Sequence, residues 1–207
     1  MPTEQVRAQQ RQQRILDAAL RVFSKRGYRG TQVEEIAVAS RTSKGGVYFH
    51  FPGKQTLFLA LLDRTAARLL AKIEEAAGSQ TDPIAKADVA LLTVLRTFTK
   101  HRALAAFFMV EALGAGREFH QRLLEINEAF IAIIRLHLDE AIEQGAIAPI
   151  DTEVAARAWF GALHETITHW VLSRGAGRLE DTYAALRPFL MRSVGAAEQP
   201  EWLGKQQ

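Results

Sequence analysis

The sequence predicts an all-α protein, a small three-helix module followed by a larger helical domain, and three observations lead there. Apolar residues recur three and four apart through almost the whole chain, and no run alternates apolar with polar residues as a half-buried strand does. Ala, Leu, Glu, Arg and Gln dominate and only 6 of 207 residues are Pro, so helix propensity is high and rarely interrupted. Charge is unevenly divided: residues 1–60 hold ten Lys or Arg against four Asp or Glu, and the remainder holds sixteen against nineteen. The first third is a basic module suited to a polyanion, and the rest is mildly acidic.

About nine helices are expected. The first carries Ile15, Leu16, Ala19, Leu20 and Phe23 on one face and stops at Gly27, which suits the left-handed position after a helix. Thr31, with Glu34 three residues on, reads as a capping box opening a second helix whose Val33, Ile36 and Ala37 form an apolar face. Ser40 to Thr42 make a turn, Ser43 caps a third helix, Gly45-Gly46 weakens it, and Phe51-Pro52-Gly53 ends it. Three short helices with a tight turn before the third make a helix-turn-helix. A long fourth helix, from about Lys54 to Ala77, ends at Gly78. Asp82-Pro83 supplies an N-cap with proline at the first helical position of the fifth, whose buried side is Ile84, Leu91, Leu92, Leu95 and Phe98. Residues 103–113 are apolar almost all round, as in a short buried helix. Between Glu118 and Gln144 two stripes run together, one from Phe119 to Ile133 and one from Ile131 to Ile142, before Gly145 stops the seventh helix. Asp151 or Thr152 caps the eighth, which runs to about Arg174. The ninth runs from Glu180 to about Val194, with Pro188 expected to kink it or mark its boundary.

Apolar and charged fractions of 48% and 24% are those of a folded globular chain and exclude disorder. The chain has no cysteine, which excludes disulfide and thiol chemistry and agrees with a reducing compartment. Met1 to Gln13 is polar and no later run approaches about eighteen apolar residues, so a cytoplasmic protein without a membrane partner is expected. Catalytic signatures are weak. His164-Glu165 and His169 approach a zinc-protease pattern, but five helical steps set the two rings about 140° apart, too far round to share one ion. Gly45-Gly46 is not followed by the Lys-Ser or Lys-Thr of a phosphate loop. No enzyme activity, metal or cofactor is expected.

The sharpest signal is a motif. From Arg14 to Leu57 the chain runs Ile15-Leu16-Asp17-Ala18-Ala19, Phe23, Gly27-Tyr28, Thr31, Ile36-Ala37, Ser43-Lys44-Gly45, Tyr48, His50-Phe51-Pro52-Gly53-Lys54 and Leu57. In residue type and spacing this stretch, about a fifth of the chain, resembles the DNA-binding module of the TetR family of bacterial regulators. The resemblance implies a sequence-specific regulator, most often a repressor, that binds an inverted-repeat operator in double-stranded DNA as a homodimer. DNA contact is expected of Thr31, Arg41, Thr42, Ser43, Lys44, Gly45, Tyr48, His50 and Lys54. A reading helix near residues 43–49 presents its first residues to base edges in the major groove. Lys44 suits guanine O6 and N7, Gly45 admits close backbone approach, and Tyr48, His50 and Lys54 match the family's phosphate contacts. By residue type alone, Tyr48 also reads as a packed aromatic and His50 as a surface histidine, and Val47 and Phe51 belong to packing. The chain departs from the family at the turn, where Arg41 and Thr42 replace the usual glycine and aliphatic residue, so Arg41 is strained if its φ is positive.

The later segments Gly116 to Phe119, Glu140 to Gly145 and Phe160 to Trp170 are similar to fatty-acid degradation repressors that answer to long-chain acyl-CoA. That similarity implies a small-molecule effector, first of all an acyl-CoA. Its candidate pocket is Phe107, Phe108, Glu111, Leu123, Asn127, Phe130, Ile131, Trp159 and Leu163, with Arg96, Lys100, Arg102 or Arg117 for the phosphates. The apolar members serve equally as plain core, so polar Glu111, Asn127 and His137 are the sharper markers. The expected division is a DNA-binding domain at 1–53, a connecting helix at 54–78 and a ligand-binding and dimerisation domain at 79–207, with dimers built on the eighth and ninth helices. Two alternatives stay open: the same regulator answering to a drug-like or aromatic effector, and an all-helical enzyme or carrier with a basic surface.

Overall fold

The computed structural model describes residues 4–173 and 177–196, and every regular element among them is helical. Helix α1, Glu4–Gly30, is broken at Gly27, where φ is 72° and ψ 167°, so Tyr28 to Gly30 form a separate turn. The positive φ favours glycine here; a Cβ on Gly27 would also stand 2.9 Å from a carboxylate oxygen of Glu111, the end of a flexible side chain that can swing aside.

Helix α2, Val33–Ala39, corrects the expected capping box. Its N-cap is Gln32, whose N–H donates to the Glu35 carboxylate at 3.2 Å. The Thr31 hydroxyl instead turns back and donates to the Gly27 carbonyl at 2.7 Å. Thr31–Glu34 and Gln32–Glu35 share one spacing, and the break in α1 decides between them by leaving a carbonyl that needs a donor. α2 ends in a Schellman turn, with Arg41 N–H on the Val38 carbonyl at 3.1 Å and Thr42 N–H on the Ala37 carbonyl at 2.9 Å. Arg41 takes the left-handed position at φ 53°, the strain anticipated from the sequence. Ser43 then caps α3, Lys44–His50, its hydroxyl accepting from Gly46 N–H at 3.0 Å.

Helix α4 spans Lys54–Gly78, and α5, Pro83–Lys100, starts where the Asp82 carboxylate accepts from Ala85 N–H at 2.7 Å. In α6, residues 102–114, the α-helical ends Arg102–Ala106 and Ala112–Gly114 flank a π-helical turn at Phe107–Glu111 that the sequence did not announce. Helix α7 is Arg117–Glu143, and Gly145 at φ 69° follows it. Helix α8, Thr152–Leu172, is capped by Asp151, whose carboxylate accepts from Val154 N–H at 3.0 Å. The expected end of this helix near Arg174 lies outside the described residues. A 3-10 turn at Leu179–Thr182 leads into α9, Tyr183–Ser193, with Pro188 inside it. Among the described residues this makes nine α-helices, and none is long and apolar enough to cross a membrane.

The chain divides into two compact units, Met1–Leu69 with His101–Asn127, and Leu70–Lys100 with Glu128–Gln207. The core of the first is an aromatic cluster drawn from four helices. Phe58 of α4 lies at its centre, 5.0 Å from Phe23, 4.9 Å from Tyr28, 5.1 Å from Phe107 and 4.8 Å from Phe119 between ring centroids. The pairs with Phe23 and Tyr28 meet edge to face, a geometry that adds to the area they bury. The Ser24 hydroxyl donates to the Ala103 carbonyl at 2.9 Å, fastening α1 to α6. In the second unit the buried Asp88 carboxylate accepts from the Tyr183 hydroxyl at 2.7 Å and Arg187 Nε at 2.9 Å. Those donors offset the cost of removing its charge from water and tie α5 to α9. Burial, and then the hydrogen bond to Asp88, push the Tyr183 hydroxyl well above the ordinary tyrosine range.

Candidate nucleic-acid interface

Helix α3 is about two turns of chain, held from below and open above. Val47 and, just past its end, Phe51 are buried and fix it to the unit, as expected from the sequence. Ser43, Lys44, Gly45 and Tyr48 are exposed on it, Arg41 is exposed in the turn ahead of it, and Thr42 is half-buried there. Gly46 has a steric reason: a Cβ would stand 2.7 Å from the Thr42 methyl and 3.2 Å from the Ser43 hydroxyl, which are the capping residues themselves. At Gly45 a Cβ would meet nothing within 4 Å, so the backbone there is open to whatever α3 faces.

Lys44 forms an ion pair with Glu34 of α2 and its ammonium lies 5.9 Å from the centre of the Tyr48 ring. Their hydrogen bond, and next their opposite charges, raise the Lys44 pKa; the same hydrogen bond lowers that of Glu34. Exposed pairs of this kind are weak, so an acceptor on DNA can take the ammonium from Glu34. His50 closes α3 with Nε2 buried and, among the described residues, without a hydrogen-bond partner. Burial, and then the charge of Arg11, lower its pKa, so the ring is neutral at pH 7 and offers a hydrogen bond, not a charge.

Two of the nine residues assigned to DNA from the sequence are occupied within the fold. Thr31 is fully buried, its hydroxyl on Gly27. Lys54 donates to the carbonyls of Tyr28 at 2.9 Å and Thr31 at 3.1 Å, with its ammonium 4.6 Å from the centre of the Tyr28 ring. Lys54 holds the start of α4 against the end of α1, which leaves one N–H of its three for a phosphate. The sequence reading passed over two residues of this face. Glu34 carries its signal in the three-dimensional pairing with Lys44 alone. Phe49, 82% exposed, was findable: two helical steps from buried Val47 turn a side chain about 200° away from the core.

The candidate effector residues fall in both units. In the first, Phe107, Phe108 and Leu123 are buried, Glu111 and Asn127 half-buried, and burial raises the Glu111 pKa. The Phe107 and Phe108 rings meet at 5.8 Å, edge to face. In the second, Ile131 and Trp159 are buried and Phe130 and Leu163 half-buried, with Trp159 Nε1 donating to the Ser193 hydroxyl at 3.0 Å. His137, also buried, shares Glu140 with Lys86, at 3.3 Å and 2.9 Å.

Residues 15–61 match the family model of bacterial regulatory proteins of the TetR family, and residues 62–184 match that of the C-terminal region of YsiA-like proteins. The fatty acid metabolism regulator protein of Bacillus subtilis (strain 168) is 26% identical over 160 residues, 77% of this chain and 82% of that protein. Among solved structures, the transcriptional regulator FadR from Bacillus subtilis in complex with stearoyl-CoA is similar at a TM-score of 0.82 and 24% identity, over 90% of this chain and 99% of that one. The fatty acid degradation regulator FadR from Bacillus halodurans gives the same TM-score, identity and coverage. At that identity the likeness speaks for the fold.

Proposed function

This chain belongs to the TetR family of bacterial regulatory proteins, and from that premise we propose that it is a sequence-specific DNA-binding repressor released from its operator by an acyl-CoA. The observation that carries the reading is α3 itself. A seven-residue helix is set by a left-handed turn and a serine cap, packed through Val47 and Phe51, and leaves Lys44, Gly45 and Tyr48 facing outward. Lys44 reads base edges, while Tyr48 and the neutral His50 hold phosphates. Thr42, Ser43 and Arg41 bring polar and positive groups to the same end of the helix.

Residues 1–53 serve DNA binding, residues 54–78 connect, and residues 79–207 bind effector and dimerise. The protein acts in the cytoplasm as a homodimer through α8 and α9, so two reading helices meet half-sites roughly 34–36 Å or a compatible multiple apart on an inverted repeat. The acyl-CoA reading rests on the relatives, one of which binds stearoyl-CoA, and on the apolar Phe107, Phe108, Phe130, Ile131 and Trp159. Release needs a ligand with higher affinity for a conformation whose reading helices no longer fit the half-sites.

The test selects bound duplexes from random oligonucleotides, then titrates acyl-CoAs of increasing chain length into the protein–operator complex. An inverted repeat and release by long chains are expected. Release by an aromatic compound with none by any acyl-CoA keeps the repressor and discards this effector; failure to select any sequence discards the repressor.

A further inference from the structure

Four acids stand among residues 1–60, in a module suited to a polyanion. Asp17 pairs with Arg64 of α4 at 2.8 Å, and Glu35 pairs with Arg26 of α1 at 3.0 Å while accepting from Gln32 N–H at the start of α2. Both fasten one helix to another. Glu34 is placed differently: it is exposed, and its ion pair is with Lys44, the first residue of the reading helix. A carboxylate at that position repels the phosphates that the module attracts, so it costs affinity unless it does something for Lys44.

The other cation at this end of α3 has no such partner. Arg41, two residues ahead of the Ser43 cap, is exposed and without a carboxylate among the described residues. A free lysine is a flexible point charge that takes any phosphate within reach. With Glu34 present that exchange gains little, because one ion pair replaces another and a bare carboxylate is left beside a polyanion. A guanine edge differs. Its O6 and N7 accept hydrogen bonds without a full charge, and the ammonium has three N–H groups, enough to serve both acceptors and Glu34 together. The Tyr48 ring, 5.9 Å from the ammonium, also attracts it.

We propose that Glu34 is a positioning residue for sequence choice, which withholds Lys44 from backbone phosphates and leaves its N–H groups for a guanine edge. The proposal rests on the DNA-binding reading above and deepens it, since the specificity of α3 then depends on a residue of α2 that touches no base. The neutral pair adds little to the salt-dependent, sequence-independent part of binding. A lysine freed from it adds one phosphate contact and steepens the dependence of log K on log salt by about 0.9.

The experiment measures binding of the full chain to its selected operator and to a scrambled duplex by fluorescence anisotropy across a salt series, with melting temperature followed alongside. For Glu34→Gln the slope on the scrambled duplex steepens by about 0.9 per protomer, so that at 0.1 M salt this duplex is bound up to about eightfold more tightly per protomer. The operator gains less, and the ratio of the two affinities falls. In a Lys44→Ala background Glu34→Gln removes the same negative charge with no ammonium to release, so both duplexes shift by one factor and the ratio stays constant. An unchanged ratio for Glu34→Gln alone overturns the proposal, as does an equal fall of the ratio in the Lys44→Ala background. Weakening on the operator alone overturns it by making Glu34 itself a base contact. Weakening on both duplexes with a lower melting temperature overturns it in favour of a support for α2. A wild-type protein that binds neither duplex overturns the DNA-binding reading itself.

Discussion

The reading helix and the aromatic cluster behind it belong to one unit and are built in opposite ways. α3 takes its shape from eleven consecutive residues: the left-handed Arg41, the Ser43 cap, Gly46 under Thr42, and Val47 four residues before Phe51. The cluster takes its shape from Phe23, Tyr28, Phe58, Phe107 and Phe119, which come from four helices. One region is specified locally and presents polar groups to a partner. The other is specified at long range and presents nothing. A substitution in the first should alter binding at nearly constant stability, and one in the second should alter stability wherever binding is measured.

Phe58→Ala tests the second half most severely. Removing a fully buried ring at the centre of the cluster is expected to lower unfolding free energy by about 3–5 kcal/mol in denaturant titrations. Little loss would mean that the cluster is not the core of the unit. Lys44→Ala tests the first half: melting temperature stays at the wild-type value, while operator affinity falls by about 1–3 kcal/mol and sequence choice at one base pair relaxes. Equal weakening on every sequence would instead make Lys44 a phosphate contact. Ser43→Ala sits between the two, because it removes a cap without touching the core. It should cost about 1 kcal/mol of stability, and a measured cost near zero would show that Gly46 N–H finds water as easily. Arg41→Gly relieves the left-handed backbone and is expected to raise stability by about 0.5–1 kcal/mol while weakening all DNA alike through the lost charge.

Glu111→Gln is the smallest and the most dependent on pH. Burial raises the folded pKa of Glu111 above its unfolded value, so ionising it in the folded protein is unfavourable. Wild type is thus relatively more stable with the group protonated and loses that advantage as pH rises through the unfolded and then the folded pKa. The variant should melt higher than wild type at pH 7, and the difference should shrink as the pH is lowered through the carboxylate range. A constant difference across pH would assign the effect to packing against Gly27.

The same contrast governs what could be read from the sequence. Helix order, the stop at Gly27, the caps Ser43, Asp82 and Asp151 and the buried pair Val47 and Phe51 were all legible, since each depends on neighbours within one or two turns. The start of α2 was misassigned by one residue because Thr31 and Gln32 compete at identical spacing and a bond to Gly27 chooses between them. The partners of Lys54 lie 26 and 23 residues away, and no local pattern points to them. The π-turn at Phe107–Glu111 has the composition of any buried helix. Most of the candidate effector residues are apolar, a property shared by core and pocket wall, so the sequence nominates them without ranking them; only Glu111 and Asn127 stand out, as polar residues amid apolar ones.

The clamp made by Lys54 has a mechanical meaning. Its ammonium holds the carbonyls of Tyr28 and Thr31 and lies over the Tyr28 ring, so the last turn of α1, the entry to α2 and the first turn of α4 meet at one charged centre. α3, already tied to α2 by the Arg41 turn and seated on Val47 and Phe51, has little freedom to move by itself. A displacement of the first turn of α4 is then transmitted to the reading helix as rotation of a rigid body, without bending or unfolding anything between them. Such a module needs no loosened helix to let go of an operator; a small change of angle, shared by every residue on its face, is enough to put Lys44 and Tyr48 out of register together.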